Sequence, residues 1–301
     1  MGRRRVSFAD DSSIPALCRF WGNLSQSLPC IQVFGLDIAL TLCSIVFLAC
    51  VRVAAEYTLI HKFGWPLNDD GRGTTQWASA SLAAILHSIN LCFALWACLR
   101  SQPYQPSQKM SEAPEWWQES VTALLQFCTG YMVYDSVCNI LIPKWGHLNL
   151  EDLLFFGHHL ITTFYMTSTR VYAAGHFSAM ACMFLGESTN PLQNGYLIAE
   201  AAMKLDCCNG DRMALFYTVI QFLFASCYCV MRAIVCPLVA VHVTYDFWTF
   251  GRAHLPKTLL ALWTVLIWAI LIGSIPWIVD CWSMLTPYLP ESIRQSVGSE
   301  L

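Results

Sequence analysis

The groups in this chain that can do chemistry recur at helical spacing. His87 and Asn90 stand three apart and so share one helix face, while Tyr131, Asp135 and Asn139 recur every four residues as a second polar stripe. Glu151 and Asp152 open a segment that continues into the adjacent pair His158 and His159, with Thr162 and Thr163 one turn further on. Glu187, Asn190 and Asn194 occupy positions i, i+3 and i+7 of a single face, and Gln221, Ala225, Cys229 and Arg232 align on another. A neutral imidazole in such a set can take a proton from an amine or hydroxyl, or attack a thioester itself, while Asp135 or Glu187 orients the ring. Successive side chains on a helix point about 100° apart, so only one of His158 and His159 is expected to point straight into a narrow cavity. Its neighbour packs at a helix seam or bonds a backbone carbonyl.

The elements that must position these groups are membrane helices. The chain is 56% hydrophobic and only 12% charged, more apolar surface than a soluble core can absorb. About seven stretches run long enough to cross a hydrocarbon layer, which takes about 20 apolar residues each. They lie near Leu36 to Ala55, Trp77 to Leu99, Gln118 to Ile142, Glu151 to Ala174, His176 to Ile198, Met213 to Ala240 and Lys257 to Leu285. The fold class expected is therefore all-α and polytopic. Residues 1–35 combine a basic start with Leu17, Phe20, Trp21 and Leu24 at a spacing that predicts a short helix at the membrane interface. The segment from Ser101 to Trp117 carries Pro103, Pro106 and Pro114 and reads as a connector, and the tail after Pro290 reads as disordered.

Ionisable groups at membrane depth cost roughly 2.5–3.5 kcal/mol each on insertion scales, so they face a bundle interior and mark function. At a rise of about 1.5 Å per residue, Asp135 and His158 both sit roughly 10 Å below one membrane face, with Asn190, His87 and Glu187 at most about a turn deeper. Arg232 counts out nearer the opposite leaflet. The pattern predicts a lined cavity in one half of the bundle, although an isolated His87 or Asn90 also serves as interhelical hydrogen-bonding glue and Arg232 can snorkel to a headgroup. Pro191 should kink the fifth span, since it removes a backbone donor and frees the carbonyl of Glu187. Such a break is tolerated in a membrane where neighbours or a wet cavity satisfy the freed group.

Other classes are excluded on the same page. Most of the 15 cysteines fall within the spans, where they act as small, soft packing residues, and no Cys-x-x-Cys pair signals a zinc site or a redox dithiol. No metal is expected. No basic cluster with interleaved aromatics points to nucleic acid. Arg3, Arg4, Arg5 and Arg19 precede the first span, which predicts a cytoplasmic N-terminus, and no small-residue cleavage pattern follows them. That orientation puts Lys62, Arg72, Lys144, Lys204 and Arg212 on the far side.

The run Gly130-Tyr131-Met132-Val133-Tyr134-Asp135, the segment from Asp152 to His158-His159 with Thr162, and Glu187-Ser188-Thr189-Asn190-Pro191 with Asn194 together resemble the TLC domain. That family groups ceramide synthases, translocon-associated proteins and lipid-homeostasis proteins of the endoplasmic reticulum and other membranes. The likeness spans about residues 70 to 285. It implies a ring of six membrane helices, the second to seventh spans, around a lipid-accessible tunnel, with the first span (36–69 with its loop) outside the ring and an endoplasmic reticulum location. In ceramide synthases the paired histidines begin a motif that continues into a His-Asp and a further Asp, associated with acyl transfer from acyl-coenzyme A. Here His158, His159 and Thr162 match, but Gly186-Glu187 replaces the His-Asp and Asn190 replaces the next Asp. The Glu-Ser-Thr-x-Pro form resembles instead the members associated with membrane lipid composition.

Two functions stay open on these residues. One is a lipid-binding or lipid-handling protein whose partner is a membrane lipid and which needs only a shaped apolar tunnel and a few polar groups, here His87, Asn90, Tyr131, Asn139, Thr162, Asn190, Asn194 and Arg232. The alternative is an acyltransferase with acyl-coenzyme A as co-substrate and His158, His159, Asp135 and Glu187 as its catalytic set. Di-iron chemistry needs several histidine pairs at helical spacing, whereas His61, His147, His176, His242 and His254 stand singly. A transporter lacks its inverted repeat.

Overall fold

The computed structural model of the chain describes residues 14–67, 73–103, 105–141, 148–208 and 210–288. Arg3, Arg4, Arg5, Arg72, Lys144 and the tail after Pro290 lie outside the described residues. The fold is all-α apart from a two-residue hairpin, β1 (Gln32–Val33) against β2 (Leu36–Asp37), turned by Phe34 and Gly35 with φ of 50° and 80°.

Solvent preference is inverted relative to a soluble domain. His87, Ser88, Gln126 and Thr169 are fully buried, while Val46, Phe93 and Leu238 are each more than 60% exposed. Hydrocarbon is the solvent that makes this arrangement stable, because the polar groups must find partners inside while the apolar ones face lipid. Among the described residues, four helical stretches are long and apolar enough to cross a membrane on their own: Ala39–Phe63, Thr74–Arg100, Asp211–Ala253 and Lys257–Tyr288. The chain is thus a polytopic membrane protein.

Helix α1 (Ala16–Ser27) forms where the apolar spacing predicts one, but its face is docked on protein. Trp21 packs on Phe127 with ring centroids 4.6 Å apart, Cys18 touches Cys98, and the Ser120 hydroxyl donates to the Cys18 carbonyl at 2.7 Å. Phe20 and Leu17 on the opposite face stay exposed. Helix α2 (Ala39–Phe63) starts where Asp37 Oδ1 accepts the Ala39 N–H at 3.0 Å and stops at Gly64, whose φ of 69° lets its N–H return to the Leu59 carbonyl. It runs past the expected end at Ala55. Helices α3 (Thr74–Arg100) and α4 (Glu115–Tyr134) both pack on it, and α4 comes so close that a Cβ on Gly130 would lie 2.6 Å from Ser44 Cβ and 2.7 Å from the Thr41 carbonyl oxygen.

Helix α5 (Leu150–Tyr172) opens with a capping box: Asn149 Oδ1 accepts the Asp152 N–H at 2.8 Å, and Asp152 Oδ2 accepts the Asn149 N–H at 3.1 Å. Asp152, first residue of the histidine segment, thereby starts the helix that carries His158 and His159. The expected fifth span is two helices, α6 (His176–Glu187) and α7 (Asn190–Met203). The sixth is α8 (Asp211–Cys229) and α9 (Cys236–Thr249), which extends beyond Ala240, and the seventh is α10 (Lys257–Gly273) and α11 (Ile275–Leu285).

Contacts close a circuit: α3 on α4, α4 on α5, α5 on α10, α10 on α9, and α11 on α8, which packs on α7 and so returns to α3. Helix α6 touches α3, α4, α5 and α9 within it, and α2 lies against α3 and α4. The connector between α3 and α4 is pinned, not free: the Ser107 N–H donates to Asp246 Oδ2 at 2.8 Å, its carbonyl contacts His254 Nε2 at 2.7 Å, and the Met110 N–H donates to Ala173.

Candidate functional site

Three helices break at membrane depth, and each break carries a proline just inside the helix that follows it. Pro191 opens α7, Pro237 opens α9 and Pro276 opens α11. Proline cannot donate to the helical ladder and clashes with the preceding turn, so the chain yields there. Interrupted backbone inside a membrane persists where protein or a cavity covers it. All three breaks border one cavity of about 310 Å³, lined at those points by Gly186, Glu187 and Asn190, by Arg232 and Cys236, and by Ser274 and Trp277.

Two segments widen into π-helical turns: Asp135–Leu141 after α4, and Val230–Val235, which is itself the break between α8 and α9. Such turns are rare and concentrate at functional sites. The first carries Asp135, Ser136 and Asn139, and the second carries Arg232. His159 lies at the seam between that first turn and α5. Its Nε2 is 3.7 Å from Asp135 Oδ2, its Nδ1 is 3.2 Å from the Ser136 hydroxyl, and the Phe155 ring meets it edge-on at 4.3 Å. Asn139 donates to Asp135 Oδ1 and accepts from Arg52 at 2.7 Å, and Arg52 also reaches the Cys138 carbonyl at 2.8 Å. The carboxylate is therefore held by an amide in a buried site, with the imidazole 3.7 Å away. His158, half-buried, also lines the cavity with its ring 5.8 Å from that of His159. One histidine is thus braced at a helix seam and its neighbour is left freer.

Glu187 forms a second cluster. Its Oε2 accepts from Ser88 and from Asn190, both at 2.8 Å, and Asn194 donates to the Asn190 carbonyl at 2.9 Å. The turn at Ser188 and Thr189 interrupts the ladder, and the Gly186 carbonyl there accepts from the Arg232 guanidinium at 3.1 Å. Arg232 also lies over the Tyr228 ring at 5.6 Å, and its buried Nε has no hydrogen-bond partner. A guanidinium presents five donors, so this one keeps capacity for an anionic or carbonyl oxygen in the cavity. The opposite wall is apolar, with Val239, Ala240, Leu266, Ile267 and Ile270. Trp77, Phe155, Leu197 and Trp277 line the cavity and are themselves exposed, so it reaches the lipid-facing surface.

Tyr131, Asp135, Asn139, His158, His159, Thr162, Glu187, Asn190, Asn194 and Arg232 all line this cavity. Arg232 is a correction in depth. Counting along the chain carried it toward the other leaflet, but its guanidinium meets the Gly186 carbonyl. Gln221 and Cys229 do not follow it into the cavity: Gln221 bonds Tyr217, and Cys229 faces the Ile278 carbonyl. Asn90 is exposed, with its amide donating to the Leu86 carbonyl at 2.7 Å, and stands outside the cavity. His87 is buried behind it, stacked on Tyr131 at 4.1 Å and against Phe127 at 4.6 Å. Arg52, Ser88, Ser136, Gln193, Tyr228 and the breaks at Pro237 and Pro276 escaped the sequence reading. A lone arginine within an apolar 25-residue helix was the signal available for Arg52. The same reading skipped the prolines because the apolar run continues through them.

Comparison with known proteins agrees with this architecture. A TLC domain-containing protein of Arabidopsis thaliana is 25% identical over 209 residues, covering 68% of this chain and 76% of that protein. No solved structure matches. The family model described as the TLC domain matches residues 76–283, which takes in every cavity-lining residue named above. On that match the chain belongs to the TLC domain family, whose members have membrane lipid-related functions.

Proposed function

We propose that this protein binds and handles a lipid within the membrane and acts in membrane lipid homeostasis, with the endoplasmic reticulum as its location. The observation that carries the reading is the cavity's mixed lining. Arg232, Asn190, Asn194 and His158 offer polar groups, Val239, Ala240, Leu266, Ile267 and Ile270 are apolar, and the exposed lining residues Trp77, Phe155, Leu197 and Trp277 open it toward lipid. A volume of about 310 Å³ lies at the lower end of ligand sites, which run roughly 300–1,000 Å³. That holds a headgroup and the first part of a chain, with the remainder passing out between exposed Trp77 and Leu197. Most polar groups in the wall already bond one another, as binding requires and as a reaction does not need. Arg232, with an unpartnered Nε, is the anchor for the headgroup.

The test is the lipid content of the full-length protein purified in mild detergent, by native mass spectrometry and lipid extraction. One lipid class should be enriched over an unrelated polytopic protein carried through the same detergent, and Arg232→Leu should lose that enrichment. Equal lipid profiles for the two proteins would sink the reading.

Acyl transfer from acyl-coenzyme A to a lipid amine or hydroxyl is the second reading, and the arrangement of Asp135, His159 and Ser136 favours it. A carboxylate 3.7 Å from one ring nitrogen and a hydroxyl 3.2 Å from the other orient an imidazole for proton transfer. Glu187 and Asn190 occupy the places where the acyl-transferring relatives resembled in sequence carry His-Asp and Asp, and both are spent on each other.

A further inference from the structure

An unsatisfied polar group lies behind the cavity wall. His87 of α3 is fully buried, and neither ring nitrogen has a hydrogen-bond partner. A buried polar group without a partner is costly, so an imidazole with both nitrogens unmet calls for a specific cause. Two other ligating groups face it from different helices. Cys128 of α4, also fully buried, and Glu187 of α6 bring a thiol sulfur and a carboxylate oxygen to the ring, and the three ligating atoms all lie within 4.8 Å of one another.

We propose that His87, Cys128 and Glu187 form a site for a single divalent transition-metal ion, with zinc the best match to the donor set. Imidazole, thiolate and carboxylate are its ordinary ligands, at about 2.0–2.3 Å. Around such an ion the donors stand roughly 3–4 Å apart, so the three side chains have to close by about 1–2 Å at most. Charge supports the assignment: a dication with one thiolate, one carboxylate and one neutral imidazole is neutral overall, the state a low-dielectric interior accepts. The surroundings fit as well. The Tyr131 and Phe127 rings fix the plane of His87. Ser88 and Asn190 both bond Glu187 Oε2, which orients the carboxylate. Because Glu187 also lines the cavity and joins the α6–α7 break, the ion would tie α3, α4 and α6 together immediately behind the lipid site. The inference does not rest on the lipid reading.

The test is metal analysis of the full chain in detergent, followed by replacement of the ion with Co²⁺. The wild type should hold about one zinc per chain and, with Co²⁺, show thiolate-to-metal charge-transfer absorption. Cys128→Ser and His87→Phe should lose that band, and Ser88→Ala, which only loosens Glu187, should weaken metal affinity about 10–100-fold. His158→Ala should keep the full content. The many other cysteines make the Cys128→Ser comparison decisive, because a band that persists in that variant overturns the site. If either ligand variant fails to fold, X-ray absorption of the zinc-loaded wild type still decides: one sulfur with nitrogen and oxygen neighbours supports the site, and two or more sulfurs overturn it. Wild type that takes up no Co²⁺ in excess metal also overturns it.

Discussion

Arg52 Nη1 lies 2.7 Å from Asn139 Oδ1, and through that bond a helix outside the closed circuit braces the polar end of the cavity. Asn139 passes the constraint to Asp135, and Asp135 to His159. Arg52→Leu should therefore act at a distance, lowering lipid retention as well as stability. Hydrogen bonds to charged groups contribute about 1.5–3 kcal/mol, and interhelical bonds in membranes often less, so a loss of about 1–2 kcal/mol is expected. Combined with Asn139→Leu, the loss should be less than additive in thermal unfolding in detergent. Strict additivity would show that the two do not act as one unit.

Gly130→Ala tests the α2–α4 crossing. The added methyl would meet Ser44 Cβ at 2.6 Å and the Thr41 carbonyl oxygen at 2.7 Å, and backbone cannot rotate away as a side chain can. Overpacking of this kind costs about 1–3 kcal/mol. A Ser44→Gly change made with it should restore only part of the loss, because the Thr41 contact remains. Full restoration of the melting temperature would place the strain on Ser44 alone.

His158 and His159 separate binder from enzyme. The binding reading expects both alanine variants to fold and keep some lipid, with His159→Ala the less stable because it strips a partner from Asp135 and Ser136. Neither the wild type nor a variant should gain an acyl chain when incubated with acyl-coenzyme A. Acyl transfer through His158 would give an adduct: the ring nitrogen bonds the thioester carbonyl, coenzyme A leaves as thiol, and hydroxylamine releases the chain. Turnover by the wild type that drops about 100-fold to 10,000-fold in a well-folded His158→Ala or His159→Ala variant would establish the enzyme instead.

Orientation has its own experiment. The excess of Arg3, Arg4, Arg5 and Arg19 before the first span predicts a cytosolic N-terminus, with the segment around Lys144 on the other side. In intact microsomes, protease should remove an N-terminal tag and spare one at Lys144. The reverse pattern would invert the topology.

The sequence by itself determined the class of solvent and the faces of the helices. Composition alone demanded a membrane, and the i, i+3, i+4 and i+7 spacing of Asp135, Asn139, Glu187, Asn190 and Asn194 put polar groups on shared faces, because helical periodicity is local and a single chain displays it in full. The break at Pro191 was legible for the same reason, since a missing N–H is a property of one residue. Tertiary structure decided everything that depends on departures from that regular helix or on which faces meet. Arg232 meets the Gly186 carbonyl instead of lying toward the far leaflet, a contact between residues 46 apart in sequence that no count of the roughly 1.5 Å rise along one helix encodes. Asn90 left the cavity and His87 entered the protein interior, although the two share a helix face, because the packing of α3 on α4 buries only part of that face. The meeting of His87, Cys128 and Glu187 follows no motif, since each comes from a different helix and no spacing along the chain encodes how three helices approach one another.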